Sequence, residues 1–167
     1  MGTITMHVCA DRLGGIGKDD HMAWEVPLEM KNFLEATENT TILVTSFTYR
    51  GLPESFVSKH RIIVYTRNPD EYLDDIYKGR IDNAISDIHD IYRYAADRDI
   101  SVCGGTQLYK DAIDYVDRVV ISRLYEEYDC THFLPDIDFD AFNEVESKVH
   151  SCEKSNVKFS TTLYERF

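Results

Sequence analysis

The chain has 167 residues, 43% of them hydrophobic and 29% charged, with only eight glycines and four prolines. That suits one domain over residues 1–167, able to bury a core without disulfides or a structural metal, and it excludes global disorder and collagen-like repeats. Eighteen basic against thirty acidic residues leave a net charge of -12, a surface that repels nucleic-acid backbones and anionic lipid but leaves room for a local anion site.

The start, Met1 to Arg12, lacks the basic and apolar regions of a signal peptide, and no apolar run reaches the roughly 18–20 residues of a membrane span. Cys9, Cys103, Cys130 and Cys152 are widely spaced without a CxxC pair, so they read as free thiols of a cytoplasmic protein. Thr3–Cys9 is short and β-branched, a strand bounded by the Gly-rich Leu13–Gly17. Pro27 opens a helix over 27–37, since proline suits a first helical position. Thr41–Thr45 and Arg61–Thr66 read as buried strands. Asn68-Pro69-Asp70 makes a turn, followed by a short helix over Asp70–Tyr77. Asp87–Ala96 has helical spacing at Ile88, Ile91, Tyr92 and Ala95. Ile100–Cys103 is a strand running into Gly104-Gly105, Gln107–Tyr115 is helical, and Arg118–Leu124 is a strand. The tail adds strands near 144–151 and 157–166. Strands alternate with helices and then follow one another, which predicts an α/β fold: a mainly parallel central sheet, flanking helices and a C-terminal antiparallel hairpin. Ligands of such sheets bind at the carboxyl ends of the strands.

Four local features can carry chemistry. Leu13–Gly17 holds three glycines without the GxGxxG spacing, either a flexible loop or a cofactor loop. Glu29 lies in the first turn of the expected helix among Leu28, Met30 and Phe33. It is either an acid favoured there by the helix dipole or a pocket acid whose pKa rises on desolvation and which can bind an amidine-like edge. Gly104-Gly105, between a strand and a helix, is either a tight turn or a diphosphate cradle. Lys59-His60-Arg61 and Arg67 bracket a strand, as a solvated edge or an anion site. GxSxG, P-loop and HExxH patterns are absent, and no metal site is expected.

Taken in order, the pieces resemble dihydrofolate reductase over nearly the whole chain. They are Ala10-Asp11, Gly15-Ile16-Gly17, His21-Met22-Ala23-Trp24, Pro27-Leu28-Glu29 with Phe33 and Thr37, Thr48-Tyr49, Gly51-Leu52-Pro53, Ile62–Arg67, Val102–Gly105 with Tyr109, Val119–Leu124, Thr131–Pro135 and Tyr164-Glu165-Arg166. The resemblance implies a dihydrofolate reductase-like fold and NADPH-dependent reduction of 7,8-dihydrofolate by hydride transfer. It implies that Glu29 holds the pterin's N3 and 2-amino group, with Ser122 bonded to that acid. Trp24 orders a water, and Met22 rides a mobile loop over about 14–24. His7 and Cys9 lie along the pterin, Phe33 and Leu52 form the apolar walls, and Lys59 or His60 meets the glutamate tail. The cofactor side takes Ala10, Ile16, Thr45, Ser46, Thr48, Cys103, Gly104, Gly105 and Tyr109, with Thr66 and Arg67 at the 2′-phosphate. Antifolate inhibitors are further implied ligands, and a cytoplasmic monomer the implied state.

Three departures from the family's pattern stand out. Thr45-Ser46 replaces a Gly-Arg or Gly-Lys pair, so NADPH over NADH rests mainly on Arg67. The tail arginine is missing: aligning on the strand puts His60 there, and counting from Leu52 puts Lys59 there. His7 replaces an aliphatic residue. Two alternatives follow, a same-fold reductase of another pterin or pyrimidine and a degenerate binding or structural protein.

Overall fold

The computed structural model describes residues 1–19 and 22–167. His21, named above as a motif residue, lies outside the described residues, as does part of the expected 14–24 loop. Strands β1 (Ile4–Ala10), β3 (Thr41–Thr45), β4 (Arg61–Tyr65), β5 (Asn83–Ile85), β6 (Ile100–Val102) and β7 (Arg118–Leu124) pair in parallel. Strand β10 (Val157–Arg166) pairs antiparallel with β7, and β9 (Phe142–Cys152) pairs antiparallel with β10 at the outer edge. Among the described residues the sheet order is β5-β4-β3-β6-β1-β7-β10-β9. β6 therefore returns between β3 and β1, and the carboxyl ends of these strands open a crevice where the connections diverge.

Helix α1 (Pro27–Thr37) matches its expected bounds. Pro27 starts it, and the Thr37 hydroxyl closes it by donating to the Phe33 carbonyl at 3.0 Å. The other helices are α2 (Ser46–Arg50), α3 (Glu54–Val57), α4 (Leu73–Tyr77), α5 (Ile91–Ala95) and α6 (Thr106–Ala112), with 3₁₀ turns before α4 and α5. The expected helix over Asp87–Ala96 is thus part 3₁₀ and part α, and that over Gln107–Tyr115 begins and ends earlier.

The β1 alternation sends Ile4, Met6, Val8 and Ala10 into one core layer with Leu108, Ala112 and Ile121. His7 and Cys9 face the opposite side, toward α1. A second apolar layer gathers Ile42, Val44, Phe56, Ile62 and Val64, with Phe33 and Leu52 at its margin. The outer strand β9 is exposed from Asn143 to Val149 and carries Glu144, Glu146 and Lys148. Those charges discourage further strand pairing at the edge.

The Gly-rich segment includes a short strand. Gly15–Gly17 forms β2, paired antiparallel with β8 (His132–Phe133). A Cβ at Gly15 would collide with the side chain of Cys130, just before β8, so the close approach of that segment requires glycine there. Buried Asp11 ties this unit together, accepting from the backbone N–H groups of Leu13 (2.9 Å), Gly15 (2.8 Å) and Tyr128 (3.0 Å). Burial pushes its carboxyl up, but those donors with the Cys130 thiol hold it below the usual carboxylate range.

Candidate active site

Sheet register assembles one half of the site. Cys9 on β1 pairs with Ser122 on β7, and Ser122 with Thr161 on β10, so the three side chains form a row on the α1 face. Ser122 is buried, and its hydroxyl lies 3.3 Å from that of Thr161. Glu29, in the first turn of α1, hangs over this row. Burial pushes its carboxyl from 4.5 up to about 7, against the lowering pull of hydrogen bonds from the Cys9 thiol and the Ser122 hydroxyl. Ser122 thus stands between Thr161 and Glu29, beside a carboxyl that is poised to change protonation near neutrality. Burial, and then the nearby Glu29 charge, push the Cys9 thiol well above its ordinary value, so it stays protonated as a donor.

Trp24 forms the opposite lip, tilted against Tyr128 with ring centroids 5.4 Å apart. Its Nε1 is buried with no hydrogen-bond partner among the described residues. Such a donor calls for a water or a ligand acceptor. Met22, Trp24, Val26, Pro27, Glu29, Met30 and Leu34 line a cleft of about 540 Å³ whose rim carries Glu25, Lys31 and Glu35. Met22 is 44% exposed, a side chain free to settle on a ligand.

Phe33, expected with Leu52 as an apolar wall, belongs to an aromatic stack beside the sheet. Phe33 stacks on Phe56 at 6.1 Å, and the His7 ring meets Phe33 edge-on at 5.9 Å. His7 is buried, which lowers its pKa to about 4 and keeps the ring neutral. Leu52 packs beside Phe33 against the second apolar layer. His60 is committed to this wall: its ring stacks on Phe56 at 4.1 Å, and its Nδ1 lies 2.9 Å from the Phe56 carbonyl oxygen. Lys59 is exposed on the turn before β4.

A second half forms at the carboxyl ends of β3, β4 and β6. Gly104-Gly105 is joined by a cis peptide bond, and Gly104 has φ +115°, a conformation that favours glycine. A Cβ there would press on the Tyr109 hydroxyl at 3.2 Å. That buried hydroxyl donates to the His7 carbonyl at 2.8 Å, linking the two halves through β1. Cys103 is half-buried beside it, and burial pushes its thiol up.

Thr45 takes over the place where a glycine was expected. Its N–H donates to the Gly104 carbonyl at 2.8 Å, and its Oγ1 accepts from the N–H groups of Gly105 and Thr48, each at 3.3 Å. Thr45 thus caps α2, with Ser46 as the first helical residue and the Thr48 hydroxyl 3.2 Å away. Thr66 and exposed Arg67 follow β4 directly. Ala10 ends β1 fully buried, and half-buried Ile16 on β2 packs against the same core layer.

Of the residues expected at the site, Glu29, Cys9 and Ser122 gather on the α1 face and Thr45, Thr48, Gly104 and Gly105 at the carboxyl ends of β3 and β6, whereas Ala10 is fully buried and Lys59 is exposed on the turn before β4. Thr161, Asp11, Met30 and Leu34 were not among them. A register pairing 39 residues apart leaves no local trace for Thr161. Asp11 had only its place beside Ala10. The spacing of Met30 and Leu34 was visible, but half-exposed apolar residues on a helix read as ordinary surface.

The family described as dihydrofolate reductase matches residues 3–166. A dihydrofolate reductase of Lactococcus lactis is 28% identical over 160 residues, covering 93% of each chain. A Mycoplasma pneumoniae protein named segregation and condensation protein A is 26% identical over 148 residues, 89% of this chain, which spans only 28% of that protein's length. Among solved structures, dihydrofolate reductase from Enterococcus faecalis complexed with NADP(H) and RAB-propyl has a TM-score of 0.87 at 23% identity, covering 99% of this chain and 96% of that one.

Proposed function

The chain belongs to the dihydrofolate reductase family, and from that we propose that it reduces 7,8-dihydrofolate to 5,6,7,8-tetrahydrofolate with NADPH. The observation that carries the reading is Glu29, a carboxyl raised to about 7 that lines a 540 Å³ cleft and is held by a hydrogen bond from Ser122. A carboxylate there pairs with the N3–H and 2-amino edge of a pterin through two charge-assisted bonds. Its charge draws electron density toward that edge and makes N5 more basic. The N5 proton arrives through water anchored at the orphaned Trp24 N–H, whose buried position suits a bridging water. Phe33, Met30 and Leu34 desolvate the ring system, and Met22 closes over it, excluding bulk water from the reacting carbons.

The second surface fits a dinucleotide phosphate. Backbone at the cis Gly104-Gly105 bond leaves room that a side chain would fill, and Thr48, Thr66 and Arg67 supply hydroxyls and a guanidinium at its edge. NADPH, when bound there, supplies the hydride from nicotinamide C4 to C6 of the dihydropterin. Tyr109 holds the His7 carbonyl between the two surfaces, fixing the backbone against which both ligands meet. We further propose that residues 1–167 act as one domain and as a cytoplasmic monomer; the four unpaired cysteines suit a reducing compartment. Antifolates would occupy the Glu29 cleft.

Purified protein should oxidise NADPH in the presence of 7,8-dihydrofolate and form tetrahydrofolate, and Glu29→Gln should lose most of that turnover. Undiminished turnover in Glu29→Gln would remove Glu29 from the reaction.

A further inference from the structure

The cleft beside Glu29 has a charge pattern that the reductase reaction itself does not require. Met30 and Leu34, one turn apart on α1, form its apolar side and are 49% and 42% exposed. Beyond them the rim carries Glu25, Lys31 and Glu35. Lys31 is shared with Glu35, its Nζ 4.0 Å from that carboxylate. Counting Glu29, three acids and one ammonium face the same space, and no arginine lines it among the described residues. Neither residue implied at the tail lines the cleft, and Lys59 is exposed on the turn before β4. His60 is stacked on Phe56 and bonded through Nδ1 to a backbone carbonyl. The net charge of -12 adds a background of the same sign.

Dihydrofolate ends in a glutamate with two carboxylates, and γ-linked extensions add one more each. Holding such a tail favours a planar, always-charged fork aimed at it. A tail that leaves Glu29 along the Met30–Leu34 side would run toward Glu35 and meet like charge. The ring system loses nothing by this, because its polar edge belongs to Glu29 and its apolar faces to the cleft walls. We infer that this site, on the reductase reading, selects dihydropterins whose side chains carry few carboxylates and discriminates against glutamate-extended folates. Glu35 and Glu25 are the specificity-determining residues, and Lys31 only partly offsets them.

The test measures kcat/KM with saturating NADPH for 7,8-dihydropteroate, 7,8-dihydrofolate and dihydrofolate triglutamate, which carry one, two and four tail carboxylates. Each is measured at about 20 mM and about 500 mM salt. At low salt the values should fall in that order, by about twofold or more per step. At high salt the Debye length shrinks to a few ångströms and the series should converge. Glu35→Lys should raise the triglutamate value relative to that of dihydropteroate at least threefold. The inference is overturned if, at low salt, dihydrofolate or its triglutamate is used better than dihydropteroate, or if a decline persists unchanged at high salt. Turnover of none of the three would instead overturn the reductase reading, and this inference with it.

Discussion

Replacing Glu29 with glutamine removes a charge that the fold is reluctant to hold, and that reluctance is readable as a pH-dependent stability. Burial lifts the carboxyl from 4.5 to about 7. Between those values the folded protein keeps a proton on Glu29 that the unfolded chain releases. Where the folded state binds more protons, the free energy of unfolding falls as pH rises. The favourable contribution is complete below pH 4.5 and has been lost once pH passes about 7. At roughly 1.4 kcal/mol per pH unit, the whole window is worth about 3 kcal/mol. The cleft is open to water on one side, which screens the charge and reduces this to about 1–2 kcal/mol. Glutamine has the shape of the neutral acid and cannot ionise. Glu29→Gln should therefore match the native protein in stability near pH 5 and exceed it by about 1–2 kcal/mol at pH 8. With a urea slope of about 1–3 kcal/mol per molar, the midpoint at pH 8 should rise by about 0.5–1 M. Turnover should fall by about a hundredfold or more, so stability and activity move in opposite directions. Equal stability differences at pH 5 and pH 8 would refute the buried-acid reasoning.

Trp24→Phe removes a buried N–H that has no hydrogen-bond partner among the described residues while keeping an aromatic ring against Tyr128. The unfolding free energy should stay within about 0.5 kcal/mol and kcat should drop about tenfold through loss of the anchored water; an unchanged kcat would deny Trp24 that role. Thr45→Gly frees the Gly105 and Thr48 N–H groups that Thr45 Oγ1 now occupies. NADPH should bind more tightly in a fluorescence titration by about fivefold, at a stability cost of about 1 kcal/mol for the lost cap; weaker binding would mean that the hydroxyl itself serves the cofactor. Arg67→Ala should raise the Kd for NADPH by about ten- to a hundredfold and leave NADH within about twofold, since only NADPH carries the 2′-phosphate. Equal losses for both would place Arg67 elsewhere on the dinucleotide.

Elements whose signals are local were legible in the sequence. Pro27 sets the start of α1, and the β-branched runs at Thr41–Thr45 and Arg118–Leu124 give β3 and β7 their observed bounds. β2 and β8 were not legible, because strands of two or three residues exist only through their pairing with each other. α2 was also missed, since its cap, Thr45, was read as a lost glycine rather than as a hydroxyl that accepts from Thr48. For the site, Glu29 could be singled out from its apolar neighbours, but its partner Ser122 entered only through the family resemblance. Thr161 could not be found, because it reaches Ser122 through strand register alone. The resemblance put either Lys59 or His60 near the tail of the substrate. The commitment of His60 to Phe56 depends on the turn after α3, which composition does not reveal.

The most direct test of the proposed reaction is the fate of the transferred hydrogen. The protein is given NADPH deuterated at nicotinamide C4 together with 7,8-dihydrofolate, and the product is examined by proton NMR. Hydride transfer within the Glu29 cleft predicts tetrahydrofolate carrying deuterium at C6. Tetrahydrofolate without deuterium at C6, or no reduced product while NADPH binds, would contradict it.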